Sequence, residues 1–446
     1  MSRPHIVILG AGFGGVYVAR KLARAVKKGT VDVTIINRTN YFLFTPLLHE
    51  VATGGLSPRS VAEPLREVFA GTGIRVIQAD IEKIDTTART ASLKGHINTC
   101  SISYDRLIIA TGAETNYYGI PGAEMHTMAL KNLQDAYLIR NKVIDLFEQA
   151  VLERDTLKRR ELLAFTVVGG GATGVEVAAE LKEFIDGMVR RYYRDTEGQD
   201  VDGSRPDDTK QCHPEEPSMT LVHGGKELLE QFSPGLRKAA SERLQKNGIT
   251  IKSGSTVATV TKSGITLADG SSVPSSLIVW AAGVKPIIPA FARAESVTAG
   301  GGRLAVDEYF RLLKHKDIFA LGDVSGYIDQ DAHAAPQDPT KPPRPLPMLA
   351  QVAVSQARIV STNVLKSLDD DATLSRFHYH SKGSMVSVGQ WFAIGEIFSF
   401  KIAGKITWWM WRTVYLFKFS SWPKRIQIVF EWTLAIFYPR DITKLS

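Results

Sequence analysis

The sequence has little cysteine, no long apolar run and no strong charge imbalance. Its 446 residues contain two cysteines, Cys100 and Cys212, which lie 112 residues apart. That number and spacing argue against a disulfide scaffold, a cysteine-rich metal site and a redox dithiol, so no metal site is predicted. No segment approaches the ~20 uninterrupted apolar residues that a membrane-spanning helix needs. The net charge of +8 is modest for this length, and no nucleic-acid partner is expected.

The first predicted strand begins close to the N-terminus. Its apolar run follows His5 directly, which leaves no room for a signal or transit peptide. We therefore expect a chain that works in the cytoplasm. The length and the 44% hydrophobic content predict two or three globular domains with ordinary buried cores.

The sequence does contain the same glycine fingerprint twice. Each copy is a short apolar run that ends in G-x-G-x-x-G and continues into a helical pattern. A strand, a tight turn and a helix N-terminus in this order bind the pyrophosphate of a dinucleotide. One copy alone could be a chance turn, but two copies predict a flavin that passes electrons between a nicotinamide and a second substrate. The glycines are Gly10, Gly12 and Gly15 in the first copy and Gly169, Gly171 and Gly174 in the second.

The two halves of the chain repeat one another beyond the fingerprints. Residues 107–112 and 278–283 are both buried-strand patterns that break at a glycine. Each half therefore predicts an α/β fold, a Rossmann-like dinucleotide-binding domain with a small antiparallel β insert. The predicted elements of the first half are a βαβ unit over 5–37, an aromatic and proline-rich loop over 41–58, a short helix over 61–69 and strands over 75–78, 90–93 and 101–110.

The C-terminal segment is both cationic and aromatic. Residues 401–446 hold eight Lys or Arg side chains against two carboxylates, and five of the seven tryptophans. Because Arg412, Lys418 and Glu431 interrupt its apolar stretches, we expect short helices that lie on a membrane surface rather than cross it. The alternative is that these helices pack on the protein's own body, with the aromatic side chains as core.

Several motifs together resemble one known family. They are N-Y-F-L-F-T-P-L-L at 40–48, V-A-T-G-G-L at 51–56, I-F-A-L-G-D at 318–323, A-Q-V-A at 350–353 and the aromatic, basic tail. With the two fingerprints, they are similar to the type II NADH:quinone oxidoreductases, which are single-chain, FAD-containing, non-proton-pumping dehydrogenases of respiratory membranes. The resemblance runs essentially end to end. The fingerprints and 322–323 are shared with related flavin reductases, whereas the aromatic loop, the A-Q pair and the tail are specific to the family.

The resemblance implies an interleaved domain order. The implied parts are an FAD-binding domain over 1–128 and 307–366, an NAD(P)H-binding domain over 129–306 with a polar surface insertion at 186–217, and a C-terminal membrane-association domain over 367–446.

The resemblance also implies that FAD binds tightly at the first fingerprint. Asp323 matches an aspartate that hydrogen-bonds the ribityl and phosphate region, and a helix N-cap is its alternative role. Thr111 and Gly112 match a turn close to the FAD. Thr45 and Pro46 match a loop beside the isoalloxazine ring. The implied FAD-binding residues are Gly10, Gly12, Gly15, Asn37, Arg38, Thr45, Pro46, Thr111, Gly112, Gly322 and Asp323.

NADH is expected at the second fingerprint. Glu176 matches a family glutamate near the nicotinamide and the flavin, where a carboxyl group can orient the carboxamide or assist proton movement. Its alternative role is to complement the helix dipole from the first turn. The implied NADH-binding residues are Gly169, Gly171, Gly174, Glu176, His223 and Gly283.

The chain departs from the dinucleotide pattern where an acidic residue is expected after each fingerprint. Asn37 stands at that place in the first half, and its amide can still hydrogen-bond a ribose hydroxyl. His223, followed by Lys226, stands there in the second half, where a carboxylate would hold the 2′-OH of NADH and repel a 2′-phosphate. We therefore expect NADPH to be tolerated, and the resemblance implies that NADH is the better substrate.

A helix after the proline-rich segment carries the implied quinone contacts. Gln351 matches the first glutamine of the family's A-Q-x-A-x-Q segment, and its alternative role is an ordinary polar helix residue. Ser355 replaces the second glutamine, and Gln356 lies about 100° further round the helix. The implied quinone-side residues are Ala350, Gln351 and Ser355, and the implied catalytic residues are Glu176 and Gln351.

The implied reaction moves two electrons from NADH to FAD and then to a membrane quinone, without proton pumping. The implied enzyme is a peripheral homodimer on the cytoplasmic face of a bacterial inner membrane. A sulfide:quinone oxidoreductase is an alternative, but it needs cysteines near the flavin that Cys100 and Cys212 do not match. A soluble ferredoxin or disulfide reductase has no use for the tail. A non-enzymatic, nucleotide-sensing flavoprotein is the third alternative.

Overall fold

The computed structural model describes residues 3–95, 97–193, 217–291, 298–329, 344–369, 371–398, 400–419 and 421–444. The strands are β1 (His5–Leu9), β2 (Asp32–Asn37), β3 (Tyr41–Leu43), β4 (Ala62–Pro64), β5 (Arg75–Gln78), β6 (Asp80–Asp85), β7 (Thr90–Lys94), β8 (Thr99–Ser103), β9 (Arg106–Ile109), β10 (Ala113–Thr115), β11 (Met128–Ala129), β12 (Ala164–Val168), β13 (Ser218–Val222), β14 (Ile249–Lys252), β15 (Val257–Thr261), β16 (Gly264–Leu267), β17 (Ser272–Pro274), β18 (Leu277–Trp280), β19 (Val284–Pro286), β20 (Ala290–Phe291), β21 (Thr298–Ala299), β22 (Arg303–Leu304), β23 (Ile318–Ala320), β24 (Ser384–Ser387), β25 (Ala393–Ile397) and β26 (Phe400–Gly404).

The helices are α1 (Phe13–Lys27), α2 (Leu48–Ala52), α3 (Leu65–Val68), α4 (Ala123–His126), α5 (Leu133–Leu152), α6 (Thr156–Leu162), α7 (Ala172–Met188), α8 (Pro234–Lys246), α9 (Ala350–Lys366), α10 (Lys405–Lys418) and α11 (Trp422–Phe437). Short helical turns of other pitch cover Thr45–Leu47, Pro58–Ser60, Val189–Tyr193 and Gly322–Val324. No helix in the described part of the chain is long and apolar enough to cross a membrane.

The chain forms two compact units, each assembled from three segments. The first unit comprises Met1–Leu43, Ala62–Glu114 and Val284–Ser381, and the second comprises Phe44–Val61, Thr115–Gly283 and Lys382–Ser446. These borders differ from the domain limits expected from the sequence, because residues 115–128 belong to the second unit and residues 284–306 to the first.

The first unit is built on a five-stranded parallel sheet in the order β23-β9-β1-β2-β5. The central strand β1 pairs Ile6 with Val33 of β2 and with Arg106 of β9. Its run of buried apolar residues is typical of a parallel strand that is covered on both faces. Helices α1 and α9 pack against each other. An inserted sheet in the order β20-β6-β7-β8 shares a hydrophobic core with the parallel sheet.

The second unit repeats this design. Its five-stranded parallel sheet has the order β11-β18-β12-β13-β14, with the fingerprint strand β12 again in the middle. The antiparallel sheet β15-β16-β17 is its insert, and the antiparallel sheet β24-β25-β26 leads into α10 and α11. The predicted fold class, two Rossmann-like domains with antiparallel β inserts, is confirmed.

Several local predictions from the sequence were wrong. The helix expected over 61–69 is strand β4 followed by the short α3, and the strand expected over 101–110 is divided into β8 and β9. The loop expected over 41–58 contains β3 and α2. The polar insertion expected from residue 186 begins with eight helical residues, since α7 and its last turn continue to Tyr193. The part over 194–216, which includes Cys212, lies outside the described residues.

Glycine lets each fingerprint helix begin directly against its own strand. A side chain at Gly15 would overlap the carbonyl oxygen of Gly10, and a side chain at Gly174 would overlap that of Gly169. Gly10 and Gly169 themselves have φ values of +99° and +125°, which disfavour any other residue. The close approach of helix and strand is therefore built into the sequence at these positions.

This close approach predicts unequal costs for two alanine substitutions. Gly174→Ala should lower the free energy of unfolding by about 2 kcal/mol or more, because α7 must move away from β12. Gly171→Ala is the matched control, since its φ of −77° suits alanine and its added carbon meets no described atom within 4 Å; its cost should be about 1 kcal/mol or less. Urea unfolding without added nucleotide measures both. Equal losses would contradict the packing argument.

Candidate functional site

The loop between β1 and α1 is an open backbone cradle. A side chain at Gly12 would meet no atom within 4 Å among the residues that the structure describes. Helix α1 begins without a side-chain cap, which leaves its first N–H groups for an anion. Asn37 accepts a hydrogen bond from the Ala11 N–H at 2.9 Å and donates two to Thr39. Its amide thus holds the shape of the loop, and the cradle fits the pyrophosphate of a dinucleotide.

The turn after β23 carries Gly322 and Asp323 in the first unit. Gly322 has a φ of +73°, and its N–H donates to Oε1 of Gln356 at 2.7 Å. Gln356 is 1% exposed, so this glutamine on α9 fixes the turn that presents Asp323. The positive charge of Arg303 lies close enough to Asp323 to interact with it. Sequence reasoning placed Gln356 near the quinone pattern and missed its contact with the turn.

The other expected FAD-binding residues are divided between the two units. Thr111 donates its hydroxyl to the Ile287 carbonyl oxygen within the first unit. Arg38 pairs with Asp80 at 2.6 Å on the surface of that unit, with three quarters of its side chain exposed. Thr45 begins the helical turn Thr45–Leu47 and belongs, with Pro46, to the second unit.

The second fingerprint forms an equivalent cradle before α7. The space in front of Gly171 holds no described atom within 4 Å of an added side chain, and α7 also lacks a side-chain cap. His223, at the end of β13, accepts a hydrogen bond from the Gly170 N–H through Nδ1 at 3.1 Å. Its other nitrogen, Nε2, and Oε1 of Glu230 both lie against Gly225. Gly283 follows β18, and the Tyr118 hydroxyl lies against it.

Glu230 is an acidic residue that sequence reasoning missed. It follows β13 by eight residues, outside the position where the dinucleotide pattern places a carboxylate. The structure nevertheless brings its carboxylate to the loop that carries His223. The Glu230 side chain therefore lies close to His223, although the sequence has no acidic residue at the position where the dinucleotide pattern expects one.

Glu176 lies on the first turns of α7, and its side chain is buried. Burial raises the pKa of this carboxyl group well above its usual range, against the hydrogen bond that it accepts from the Ser387 N–H at 3.3 Å. Nearby Glu180 and Glu50 raise the pKa further. Burial therefore favours the protonated form of Glu176, in which the side chain can donate a hydrogen bond or a proton.

His49 is the close neighbour of Glu176, and sequence reasoning did not single it out. Its Nδ1 lies 3.9 Å from Oε2 of Glu176, which is within the range of an ion pair. Burial, however, lowers the pKa of His49 to about 4. Burial therefore disfavours the charged form of both groups, and one contact of 3.9 Å is too weak to offset that cost.

The charged members of this cluster are paired further along α7. Arg440 donates to Oε2 of Glu180 at 2.5 Å and lies 3.5 Å from Oε2 of Glu183. Burial opposes ionisation of Glu180, but the positive charge and hydrogen bond of Arg440 leave its pKa lowered overall. Burial raises the pKa of Glu183 to about 7. Glu180 is thus the carboxylate that the C-terminal arginine neutralises.

Helix α11 holds the loop over residues 44–61 within the second unit. Glu431 accepts hydrogen bonds from the Ser57 N–H at 2.9 Å and from the Ser60 hydroxyl at 2.7 Å. Trp432 donates its indole N–H to Oε2 of Glu50 at 2.7 Å. The sequence presented Glu431 only as an interruption of an apolar stretch, whereas the structure uses it to bind the aromatic and proline-rich loop.

Helices α10 and α11 each have a buried and an exposed apolar face. Trp408, Trp411, Ile428 and Trp432 are buried within the second unit, so packing on the protein's own body accounts for one face. The other face carries thirteen exposed large apolar side chains, and exposed apolar surface of this kind is typical of an interaction site. Its exposed side chains are Ile406, Trp409, Met410, Val414, Phe417, Trp422, Ile426, Val429, Phe430, Leu434, Ile436, Phe437 and Tyr438.

The expected quinone-side residues begin α9 in the first unit. Ala350 and Gln351 form its first turn and are half-buried, and Ser355 is half-buried one turn later. Gln356 does not lie on this half-buried side of α9, because its side chain is buried and accepts a hydrogen bond from the Gly322 N–H.

The depressed pKa of His49 predicts a loss of stability in acid. Between about pH 6.5 and pH 4 the unfolded chain binds a proton that the folded protein does not. The free energy of unfolding therefore decreases as the pH is lowered through this window, by about 3 kcal/mol in total. His49→Gln should remove most of this loss. The measurement is the urea unfolding free energy at pH 7, 5.5 and 4.5. His126→Gln, at the end of α4, controls for the loss of an imidazole. If His49→Gln loses as much stability in acid as the unaltered protein, the depressed pKa of His49 is contradicted.

Two family descriptions match consecutive parts of the chain. The family "Pyridine nucleotide-disulphide oxidoreductase" matches residues 4–357. The family "NDH2 C-terminal domain" matches residues 381–441. The first match covers both fingerprints and α9 up to residue 357, and the second covers the antiparallel sheet of β24, β25 and β26 and the helices α10 and α11.

Relatives are similar along nearly the whole chain. The type II NADH:quinone oxidoreductase Ndh of Mycobacterium tuberculosis is 30% identical over 447 residues, covering 98% of this chain and 89% of that protein. The mitochondrial internal alternative NAD(P)H-ubiquinone oxidoreductase A1 of Arabidopsis thaliana is 30% identical over 478 residues, covering 100% of this chain and 86% of that protein. The solved structure of NDH2 from Plasmodium falciparum in complex with NADH superposes with a TM-score of 0.86 at 23% identity, over 99% of this chain and 100% of that one, which establishes the shared fold. The chain belongs to the type II NADH:quinone oxidoreductase family.

Proposed function

We propose that this chain oxidises NADH and delivers two electrons through FAD to a membrane quinone. The observation that carries the proposal is the pair of open glycine cradles in a chain that matches the family from residue 4 to residue 441. When bound, FAD supplies the chemistry that the side chains lack, since it takes up a hydride and releases electrons. The protein supplies binding, orientation and proton placement.

FAD is proposed to bind tightly at the cradle of the first unit. The uncapped N-terminus of α1 offers N–H groups to the pyrophosphate, and Gly12 leaves room for its approach. Asp323 is held in place by the hydrogen bond between Gly322 and Gln356 and would bind a hydroxyl of the flavin side chain. Asn37 keeps the cradle in shape through the Ala11 N–H.

NADH is proposed to bind at the cradle of the second unit, with Glu176 as its functional carboxyl group. Burial favours the protonated form of this group and shields it from water. In that state Oε can donate to the carboxamide or pass its proton to a reduced acceptor. His49 lies 3.9 Å from this carboxyl group, too far for a direct hydrogen bond, and lines the same buried site.

Quinone is proposed to reach the start of α9, where Gln351 donates to a quinone oxygen beside Ala350 and Ser355. A lipid-soluble acceptor requires an enzyme at the bilayer, and the exposed apolar faces of α10 and α11 suit that position. We propose a peripheral homodimer on the cytoplasmic face of a bacterial membrane.

The test of the proposed function is an anaerobic titration of the flavin absorbance. NADH should bleach it, a short-chain quinone should restore it, and sulfide should do neither. Gln351→Ala should raise the quinone KM at least about threefold while NADH still bleaches the flavin, because loss of one hydrogen bond costs about 1 kcal/mol. Arg358→Gln, exposed on the same helix, is the control. Bleaching by sulfide, or none by NADH, would overturn the proposal.

Nucleotide selectivity depends on the charges around His223. We expect NADPH to be used less well than NADH but measurably, since the residue directly after β13 is His223 rather than an acidic residue. His223→Asp should lower NADPH use relative to NADH about tenfold, because it adds a charge that repels the 2′-phosphate. His223→Asn keeps an acceptor for the Gly170 N–H and is the neutral control.

The nearby Glu230 carboxylate provides the converse test. Glu230→Gln should raise NADPH use relative to NADH, because it removes the negative charge beside Gly225. Steady-state kcat/KM for both nucleotides is the measurement. Negligible NADPH turnover by the unaltered protein at saturation would show that selectivity is not set here.

A further inference from the structure

A cationic cavity of about 350 Å³ opens in the second unit, away from the fingerprint end of α7. Its walls come from the C-terminal end of α7, from α8 and from the chain that follows α11. Five cationic side chains line it against two carboxylates, Glu183 and Asp186. The cations are Lys182, Arg190, Arg191, Arg243 and Arg440.

Only part of this positive charge is neutralised within the protein. Arg440 is engaged by Glu180 and Glu183, and Lys182 pairs with Asp186 at 2.5 Å. Three arginines remain. Arg243 donates to the carbonyl oxygen of Gln390 at 3.1 Å and lies over the ring of Phe392, and its Nε has no hydrogen-bond partner in the described part of the chain.

Arg190 and Arg191 provide positive charge in the cavity that can bind an anion. Both are exposed on the turn Val189–Tyr193, and neither pairs with a carboxylate among the described residues. Burial raises the pKa of Glu183 to about 7, which further weakens the negative charge of the cavity wall. A guanidinium group can donate two parallel hydrogen bonds to two oxygens of one phosphate, so a phosphate group is an anion that suits this site.

The position of the cavity indicates where the phosphate comes from. Ala435, Tyr438 and Pro439 form part of its wall, and they belong to the end of α11 and the chain directly after it. In the same segment Phe437 and Tyr438 are 71% and 65% exposed and continue the apolar face of α10 and α11. A phosphate that enters the cavity while attached to acyl chains would place those chains beside this face.

We propose that this cavity binds the headgroup phosphate of an anionic phospholipid when the apolar face of α10 and α11 lies on a bilayer. The proposal rests on the proposed membrane association. The apolar face supplies attraction to any bilayer, and the cavity adds selectivity for acidic lipid. Arg190 and Arg191 contribute the charge, and Arg243 orients the phosphate from the inner wall.

The experiment compares binding of the full chain to neutral and to anionic vesicles by flotation. The vesicles are pure phosphatidylcholine, and phosphatidylcholine with about a third phosphatidylglycerol. The double variant Arg190→Gln/Arg191→Gln should bind neutral vesicles as the unaltered protein does. Its preference for anionic vesicles should fall about tenfold or more, since each basic residue near the surface is worth about fivefold. Lys246→Gln/Lys262→Gln removes the same charge from exposed sites outside the cavity and should lose less than about threefold.

Four outcomes would overturn the proposal, and they are distinguishable. Absence of binding to either vesicle removes the membrane association on which it rests. Binding to neutral vesicles with no anionic preference removes the site alone. Equal losses in the two double variants show a diffuse charge effect. Stabilisation by inorganic phosphate at fixed ionic strength that the cavity variant loses, without any change in anionic preference, assigns the cavity to a free phosphate. Turnover of NADH with a water-soluble acceptor should be unchanged in both variants.

Discussion

Burial of carboxyl groups along one side of α7 is the constraint on which the second unit depends. Glu176, Glu180 and Glu183 follow one another at helical spacing, and a buried charge is costly unless it is neutralised or paired. The protein meets this cost in two ways. Near the fingerprint, burial favours the protonated form of Glu176, which faces a neutral His49. Further along, Glu180 stays ionised because Arg440 binds it.

This division makes the C-terminal segment part of the interior of the second unit. Arg440 reaches Glu180 across 260 residues of sequence, and Trp432 reaches Glu50 across 382. Loss of one partner in a buried ion pair typically costs about 3–5 kcal/mol, which exceeds any surface effect of the same helices. A displacement of α11 would therefore disturb the loop at 44–61 and the carboxyl groups of α7 together. The position of α11 is thus linked to Glu176 through Glu50, which Trp432 binds and which raises the pKa of Glu176.

The sequence predicted the parallel sheets because their signals are local. An apolar strand, a G-x-G-x-x-G turn and an amphipathic helix lie within about 25 residues of each other, as β1 and α1 do. It did not predict the roles of Gln356, Glu230 or His49, since each acts on a residue to which only the tertiary fold brings it. The borders of the two units were not predicted for the same reason. Each unit is assembled from three distant segments, and the aromatic and proline-rich pattern over 41–58 does not show which unit that loop joins.

The positive charge of the tail is less available to a partner than its composition suggests. Composition assigns eight cations to residues 401–446, which suggests a strongly basic membrane face. Several of them are occupied within the second unit, however. Arg412 stacks on Trp408 and Trp432, with its guanidinium carbon 3.9 Å and 4.6 Å from the two ring centres, and Lys444 pairs with Asp145 at 2.6 Å. With Arg440 also engaged, part of the positive charge of the tail is bound within the second unit. The proposed lipid site draws its cations instead from the end of α7, which lines the same cavity as the end of α11.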